Sequence, residues 1–155
     1  MTNVKQSSFF LKSFFFIAFL VLGNQSFSQY KISQIIEENK VSIKKPYKYD
    51  GFKMNEFTFE QINKNIPIEF VAFQNQKYKL IFCTSDYEEQ VIISIYDQAN
   101  PKVKVAEKTM DANNKTWTYE LVVSATYSIV YEIPPSNTEA DHKACMVMLI
   151  GFKGK

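Results

Sequence analysis

The side chains best suited to chemistry are few in this sequence, and they stand apart. His142 is the single histidine, in the polar run Glu139-Ala140-Asp141-His142-Lys143. A lone imidazole beside carboxylates suits a metal ligand or a general base. General-base work needs a nucleophile and an orienting partner, and the sequence offers neither at a recognisable spacing. Asp86, Glu88 and Glu89 crowd one short turn and would suit calcium, which wants clustered oxygens. A short acidic turn between strands is ordinarily a solvated one. Cys83 and Cys145 are 62 positions apart, with no C-x-x-C pair, so redox catalysis and structural zinc are not indicated. The four glycines are scattered and build no phosphate loop, and no nucleophile elbow or H-E-x-x-H helix occurs. We therefore expect no catalytic, cofactor or metal site, and a protein that is not an enzyme. A carboxylate pair without a linear motif is the enzymatic alternative, since sandwiches can host one.

Aromatic side chains are the more plentiful resource. Lys44, Lys45, Pro46, Tyr47, Lys48 and Tyr49 form a basic, aromatic connector that runs on to Phe52. Tyr47, Tyr49, Phe52 and Tyr87 are the candidates for a ligand surface, on which a glycan or an envelope protein would rest. The competing expectation is a strap whose tyrosines lie down on the domain with only their polar tips in water. Trp117 alternates in phase with Tyr119, Leu121 and Val123, which places it in a core and not on a sugar platform.

The elements that must position these residues begin after a targeting segment. Lys5 and Lys12 precede the unbroken apolar run Phe14–Leu22, then Gly23, then Ser26 and Ser28. Basic, apolar and small-residue regions in that order describe a secretory signal peptide over 1–28, cut between Ser28 and Gln29. The run falls short of the roughly 20 apolar residues that span a bilayer. We therefore expect export to the periplasm or beyond, with no stable membrane span after cleavage. Loss of Lys5 and Lys12 leaves 16 lysines against 16 acidic residues, and the sequence contains no arginine. Nucleic acid, read and held largely through arginine, is an unsuitable partner. Near-neutral charge also gives no long-range field for a polyanion.

Residues 29–52 read as a short helix, with Ile32, Ile35 and Ile36 on one side, followed by the extended strap. From 53 to 155 the period is two. Strands are predicted at 54–60, 67–74, 77–84, 90–97, 102–109, 116–123, 126–133 and 144–152, rich in β-branched and aromatic residues. Asn and Asp in the separating turns tolerate left-handed backbone. Runs 90–97 and 144–152 are apolar on both faces, which makes them central strands with a cover on each side. The helix is a candidate cover. The expected fold is all-β, a sandwich of about eight strands with one short N-terminal helix.

Tyr78-x-Leu80-x-Phe82, Val91-x-Ile93-x-Ile95-Tyr96-Asp97, Ala125–Tyr131 and Leu149-Ile150-Gly151-Phe152 resemble the strand rhythm of bacterial pre-peptidase C-terminal-type jelly rolls. That resemblance covers 77–152 and implies a jelly-roll sandwich that binds or builds without catalysing. The acidic pairs with which some such modules hold calcium are not matched; Asp97 stands alone at its strand end. Jelly-roll order would set 77–84 beside 144–152, antiparallel. With an even cysteine count and an oxidising compartment, a Cys83–Cys145 disulfide is then expected. The functional expectation is a small exported binding or structural module of the bacterial envelope, or alternatively a carbohydrate-binding accessory protein.

Overall fold

The computed structural model describes residues 32–58, 63–85, 89–99, 102–135 and 143–154. The chain divides into two units, Met1–Gln34 and Ile35–Lys155. The cut at Ser28 and Gln29 lies outside the described residues, as do Asp86, Tyr87, Glu88 and His142.

All eight expected strands form: β1 (Lys48–Thr58), β2 (Lys64–Val71), β3 (Gln76–Thr84), β4 (Val91–Asp97), β5 (Val103–Met110), β6 (Thr116–Leu121), β7 (Thr126–Ile133) and β8 (Lys143–Gly154). They pair into two antiparallel four-stranded sheets, β1-β8-β3-β6 and β2-β7-β4-β5. This is jelly-roll order, and β3 does lie beside β8. The two runs that are apolar on both faces, β4 and β8, have neighbours on both sides. Pro67, which cannot donate to a ladder, falls on the edge strand β2, where its lack of an N–H is tolerated. Asn75 takes the left-handed conformation (φ 63°) between β2 and β3. Asp111 Oδ1 accepts from the amides of Asn113 and Asn114 at 2.8 and 2.9 Å, closing the β5–β6 turn. Those bonds hold the Asp111 carboxyl below its ordinary range.

The inner faces meet in one core built from Leu80 and Phe82, Ile93 and Ile95, Ile129 and Tyr131, and Met146 and Met148, all inaccessible to solvent. Trp117 belongs to this side. Its ring stacks on Phe82 at 5.1 Å between centroids and it packs against the core, while Val123 lies beyond the strand and is exposed.

The outer face of the β1-β8-β3-β6 sheet is also covered over its central strands, β8 and β3. Ile81, Cys83, Val147 and Leu149 point away from the core, yet none exceeds 1% exposure. A helix over residues 32–40 and a turn through Ile43 to Tyr47 lead into β1. From Ile35 onward this segment is the cover. The Thr116 hydroxyl donates to Asn39 Oδ1 at 3.3 Å, and the Tyr47 hydroxyl donates to Glu120 at 2.9 Å. Ile43 sits so close to Gly151 that a Cβ there would meet its Cγ2 at 2.7 Å. A glycine is thus required for the strap to lie flat. Gly151→Ala is expected to cost about 1–3 kcal/mol by overpacking. Adding Ile43→Ala should recover part of that loss, a coupling that a double-mutant cycle of urea melts will read. Strictly additive losses would mean that the strap does not lie there.

Two sequence expectations are corrected here. The extended strap was placed up to residue 52, but β1 begins at Lys48 and pairs with β8 from there. Alternating residues 48–53 gain ladder hydrogen bonds that the composition of the run concealed. The expected disulfide is not formed: Cys83 and Cys145 are free and buried. Cys83 opposes Val147, and Cys145 lies beside Ser85, whose amide donates to the Cys145 carbonyl at 3.0 Å. The thiols are therefore diagonal neighbours on one face. Diagonal positions in a ladder are roughly 7–8 Å apart, beyond easy disulfide reach. Burial pushes the Cys83 thiol up to about 12 against a weaker opposing bond from Thr116, and burial likewise raises Cys145.

Candidate functional site

With one outer sheet face taken by the chain itself, the outer face of β2-β7-β4-β5 is the open one. Its rows follow from the register. Glu69 faces Ser128, Ser128 faces Tyr96, and Tyr96 faces Lys104. One row away, Pro67, Val130, Ser94 and Glu107 align in the same way, and Val71 faces Thr126 on the other side. Alternation alone sends these residues outward.

A recess of about 510 Å³ opens on this face, lined by Pro67, Ile68, Glu69, Gln98, Thr126 and Ser128. Each lining group is held by the local fold. Asp97 ends β4 and accepts the Ala99 amide at 2.8 Å, which turns the chain there. The Gln98 amide then donates to the Thr126 carbonyl at 2.9 Å, fixing Gln98 over the start of β7. On the far side, Lys53 Nζ donates to the Glu69 carbonyl at 2.9 Å. The Glu69 carboxylate remains the only acidic side chain of the lining, with one amide and two hydroxyls around it.

Tyr96 is aligned with Ser128 across β4 and β7, outside the lining of the recess. Lys102 and Lys104 hold their ammonium groups 4.5 and 5.6 Å from its ring centroid, a favourable placing over a π-face. Glu107 is committed to structure. It pairs with Lys104 and accepts the Ser94 hydroxyl at 3.1 Å, and these bonds hold its carboxyl below the ordinary range. The arrangement offers hydrogen bonds of several kinds to a bound molecule. It does not offer two free carboxylates facing one another, as acid–base hydrolysis of a glycoside would need.

Of the residues expected from sequence to form a ligand surface, Tyr87 lies outside the described residues, and the other three lie on the strap and on β1. Tyr47 is buried on the opposite sheet, its ring flanked by Lys79 and Lys153 at 4.8 and 5.1 Å. Burial pushes its phenol up to about 12, with the Glu120 hydrogen bond acting in the same direction. Tyr49 is half-buried with Lys40 over its ring at 4.9 Å. Phe52 is exposed on the edge strand β1, aligned with Leu149. Tyr47 is thus a latch for the strap and Tyr49 lies under it, for the physical reason that each caps apolar sheet surface. No group of three or more His, Cys, Asp or Glu that could hold a metal occurs among the described residues. No helix among them is long and apolar enough to cross a membrane.

Glu69, Gln98, Thr126 and Ser128 were not singled out from the sequence. The alternation of β2 and β7 shows that Glu69 and Ser128 point outward, but only the pairing of the two strands brings them together.

No family model matches the chain, and no curated protein matches it. The pre-peptidase C-terminal resemblance thus extends no further than jelly-roll strand order. Solved structures with similarity include a chain from the disulfide-linked pili of Bacillus endospore appendages, at 12% identity over 70% of this chain and 89% of that one, TM-score 0.40. Another is PliG of Aeromonas hydrophila, a periplasmic inhibitor of g-type lysozyme, at 10% identity over 66% and 87%, TM-score 0.41. A third is the N-terminal cellulose-binding domain of a Cellulomonas fimi β-1,4-glucanase, at 10% identity over 69% and 82%, TM-score 0.44. At these values the likeness assigns neither a family nor a ligand to this chain.

Proposed function

We propose that the chain is an exported, non-catalytic binding module of the bacterial envelope, and that its recess takes a glycan. The observation that carries this is the lining of the recess: one carboxylate and two hydroxyls on strands β2 and β7, with the Gln98 amide just past the end of β4. A polyhydroxylated ligand presents donors and acceptors at each ring carbon, and such a mixed set of partners matches them. Sites on strands are held more closely than sites on loops. A single carboxylate fits binding better than hydrolysis, which uses two. The signal-peptide pattern of residues 1–28 supports export and with it an envelope setting.

A glycan microarray probed with the chain tests the reading. Binding to a restricted set of glycans is expected, and Glu69→Gln should weaken it by about tenfold or more, since hydrogen bonds to charged groups contribute roughly 1.5–3 kcal/mol. No binding to any glycan, or binding that Glu69→Gln and Ser128→Val leave unchanged, would overturn it. Turnover of a bound glycan would favour the carboxylate-enzyme alternative instead.

A further inference from the structure

Beyond the recess, one end of the sandwich carries an unusual surface. The loops joining β2 to β3 and β6 to β7 cross there and are tied together. The Ala72 amide donates to the Ala125 carbonyl at 2.9 Å, and the Ser124 hydroxyl donates to the Phe73 carbonyl at 3.1 Å. Val71 ends β2, and Phe73, Val122 and Val123 stand on these loops, with exposures of 43, 62, 60 and 58%. Four exposed large apolar side chains gathered at one end of the sandwich mark an interaction surface for a protein or a membrane.

The charge around that end is distinctive. The register brings the start of β1, the end of β8 and the start of β3 to it. Lys48, Lys77 and Lys153 therefore lie there, with Lys44 and Lys45 on the strap leading into β1. Lys77 and Lys153 face each other directly across β3 and β8, an arrangement that costs stability in a ladder. Lys153 lies over the Tyr47 ring at 5.1 Å and acts on the Glu120 carboxylate, while among the described residues no ion pair engages Lys44, Lys45, Lys48 or Lys77. The carboxylates that the register places toward this end are Asp50, Glu69, Asp97 and Glu120. Asp97 accepts the Ala99 amide, and Glu120 is held by Tyr47 and Lys79. A domain that is nearly neutral as a whole has thus gathered four lysines outside ion pairs, Lys44, Lys45, Lys48 and Lys77, toward its apolar end.

We propose that this end docks on an anionic phospholipid surface, with Phe73 and Val123 entering the acyl boundary and the lysines meeting lipid phosphates. Apolar insertion and electrostatic attraction to anionic headgroups reinforce one another in such binding. Lys44, Lys45, Lys48 and Lys77 are the charges that an anionic surface would meet.

Co-sedimentation of the full chain with vesicles tests this, using phosphatidylcholine alone and phosphatidylcholine mixed with phosphatidylglycerol. The apolar run at 14–22 gives every variant the same background, so variants are compared with one another. Binding to the mixed vesicles should exceed binding to phosphatidylcholine by about tenfold or more and fall with added salt. Phe73→Ser with Val123→Ser should reduce it to background, and so should Lys44→Glu with Lys77→Glu. Amide hydrogen exchange across 71–77 and 121–126 should slow on the mixed vesicles. Glu69→Gln should leave vesicle binding unchanged, which separates this proposal from the glycan reading. Equal binding to both vesicle types, insensitivity to either pair of substitutions, or no slowing in those loops would overturn it.

Discussion

Tyr47→Ala is expected to destabilise the chain by about 3–5 kcal/mol, the cost of removing a large buried aromatic. That is a large share of a typical total of about 5–15 kcal/mol. The residue is 6% exposed, its hydroxyl bonds Glu120, and two lysine ammonium groups lie over its ring. The milder Tyr47→Phe should cost about 1.5–3 kcal/mol, because it leaves the packing and removes a hydrogen bond to a charged acceptor. It also has a pH signature. The Tyr47 phenol is raised to about 12 from 10.0, so the folded state holds that proton more tightly than the unfolded chain. Its contribution is complete below pH 10 and is lost as pH rises toward 12. Glu120 is the reverse case. The Tyr47 hydrogen bond, and after it Lys79, hold its carboxyl below the ordinary range, against the opposing effect of burial. Its contribution is present above the ordinary carboxylate range and is lost as pH falls through the lowered one. Urea melts across pH should show the parent losing stability at both extremes and Tyr47→Phe losing less. Identical pH profiles for the two would contradict the latch.

Substitutions at the neighbours Phe82 and Ile81 should both be severe, although their side chains point to opposite faces of β3. Phe82 lies in the core, stacked with Trp117 and edge-on to Tyr131 at 6.3 Å, so Phe82→Ala is expected to cost about 3–5 kcal/mol. Ile81 faces the strap and is likewise inaccessible to solvent. Ile81→Ala should therefore cost about 2–5 kcal/mol, as in a core. On a one-sided sheet the same change would stay within about 0.5 kcal/mol, as exposed positions usually do. Thermal or denaturant melts of the two variants decide between these. A negligible loss at Ile81 would mean that the outer face is open, and the assignment of the opposite face as the working surface would fall with it.

Much of this fold is legible in the sequence for a local reason. Period-two alternation depends on each residue's own neighbours, so all eight strands and the central places of β4 and β8 can be read from side-chain type alone. Asn75 in its left-handed turn and Trp117 in the core are legible in the same way. What alternation does not carry is register. The diagonal offset of Cys83 and Cys145 turns on which residue of β8 lies opposite which residue of β3. A shift of two positions keeps every side chain on its proper face while separating the sulfurs. The aromatic strap leaves two readings open for a related reason, and the one in which its tyrosines lie down on the domain fits the buried Tyr47. Tyr47 and Tyr49 look like a ligand surface in a polar connector, but the apolar outer face of β8 needs a cover, and these residues supply part of it. The recess was hidden because Glu69 and Ser128 come from strands nearly 60 residues apart, and each is an ordinary outward-facing polar residue until β2 pairs with β7.

On the proposed reading the open face of β2-β7-β4-β5 takes the glycan, while the chain's own strap covers the central strands of the other sheet. Backbone amide chemical shifts, recorded while titrating a glycan recovered from the microarray, test it most directly. The account predicts perturbations centred on residues 67–69, 96–98 and 126–130, with residues 79–83 and 145–151 unmoved. Perturbations confined to 79–83 and 145–151, with the residues around Glu69 and Ser128 silent, would contradict it.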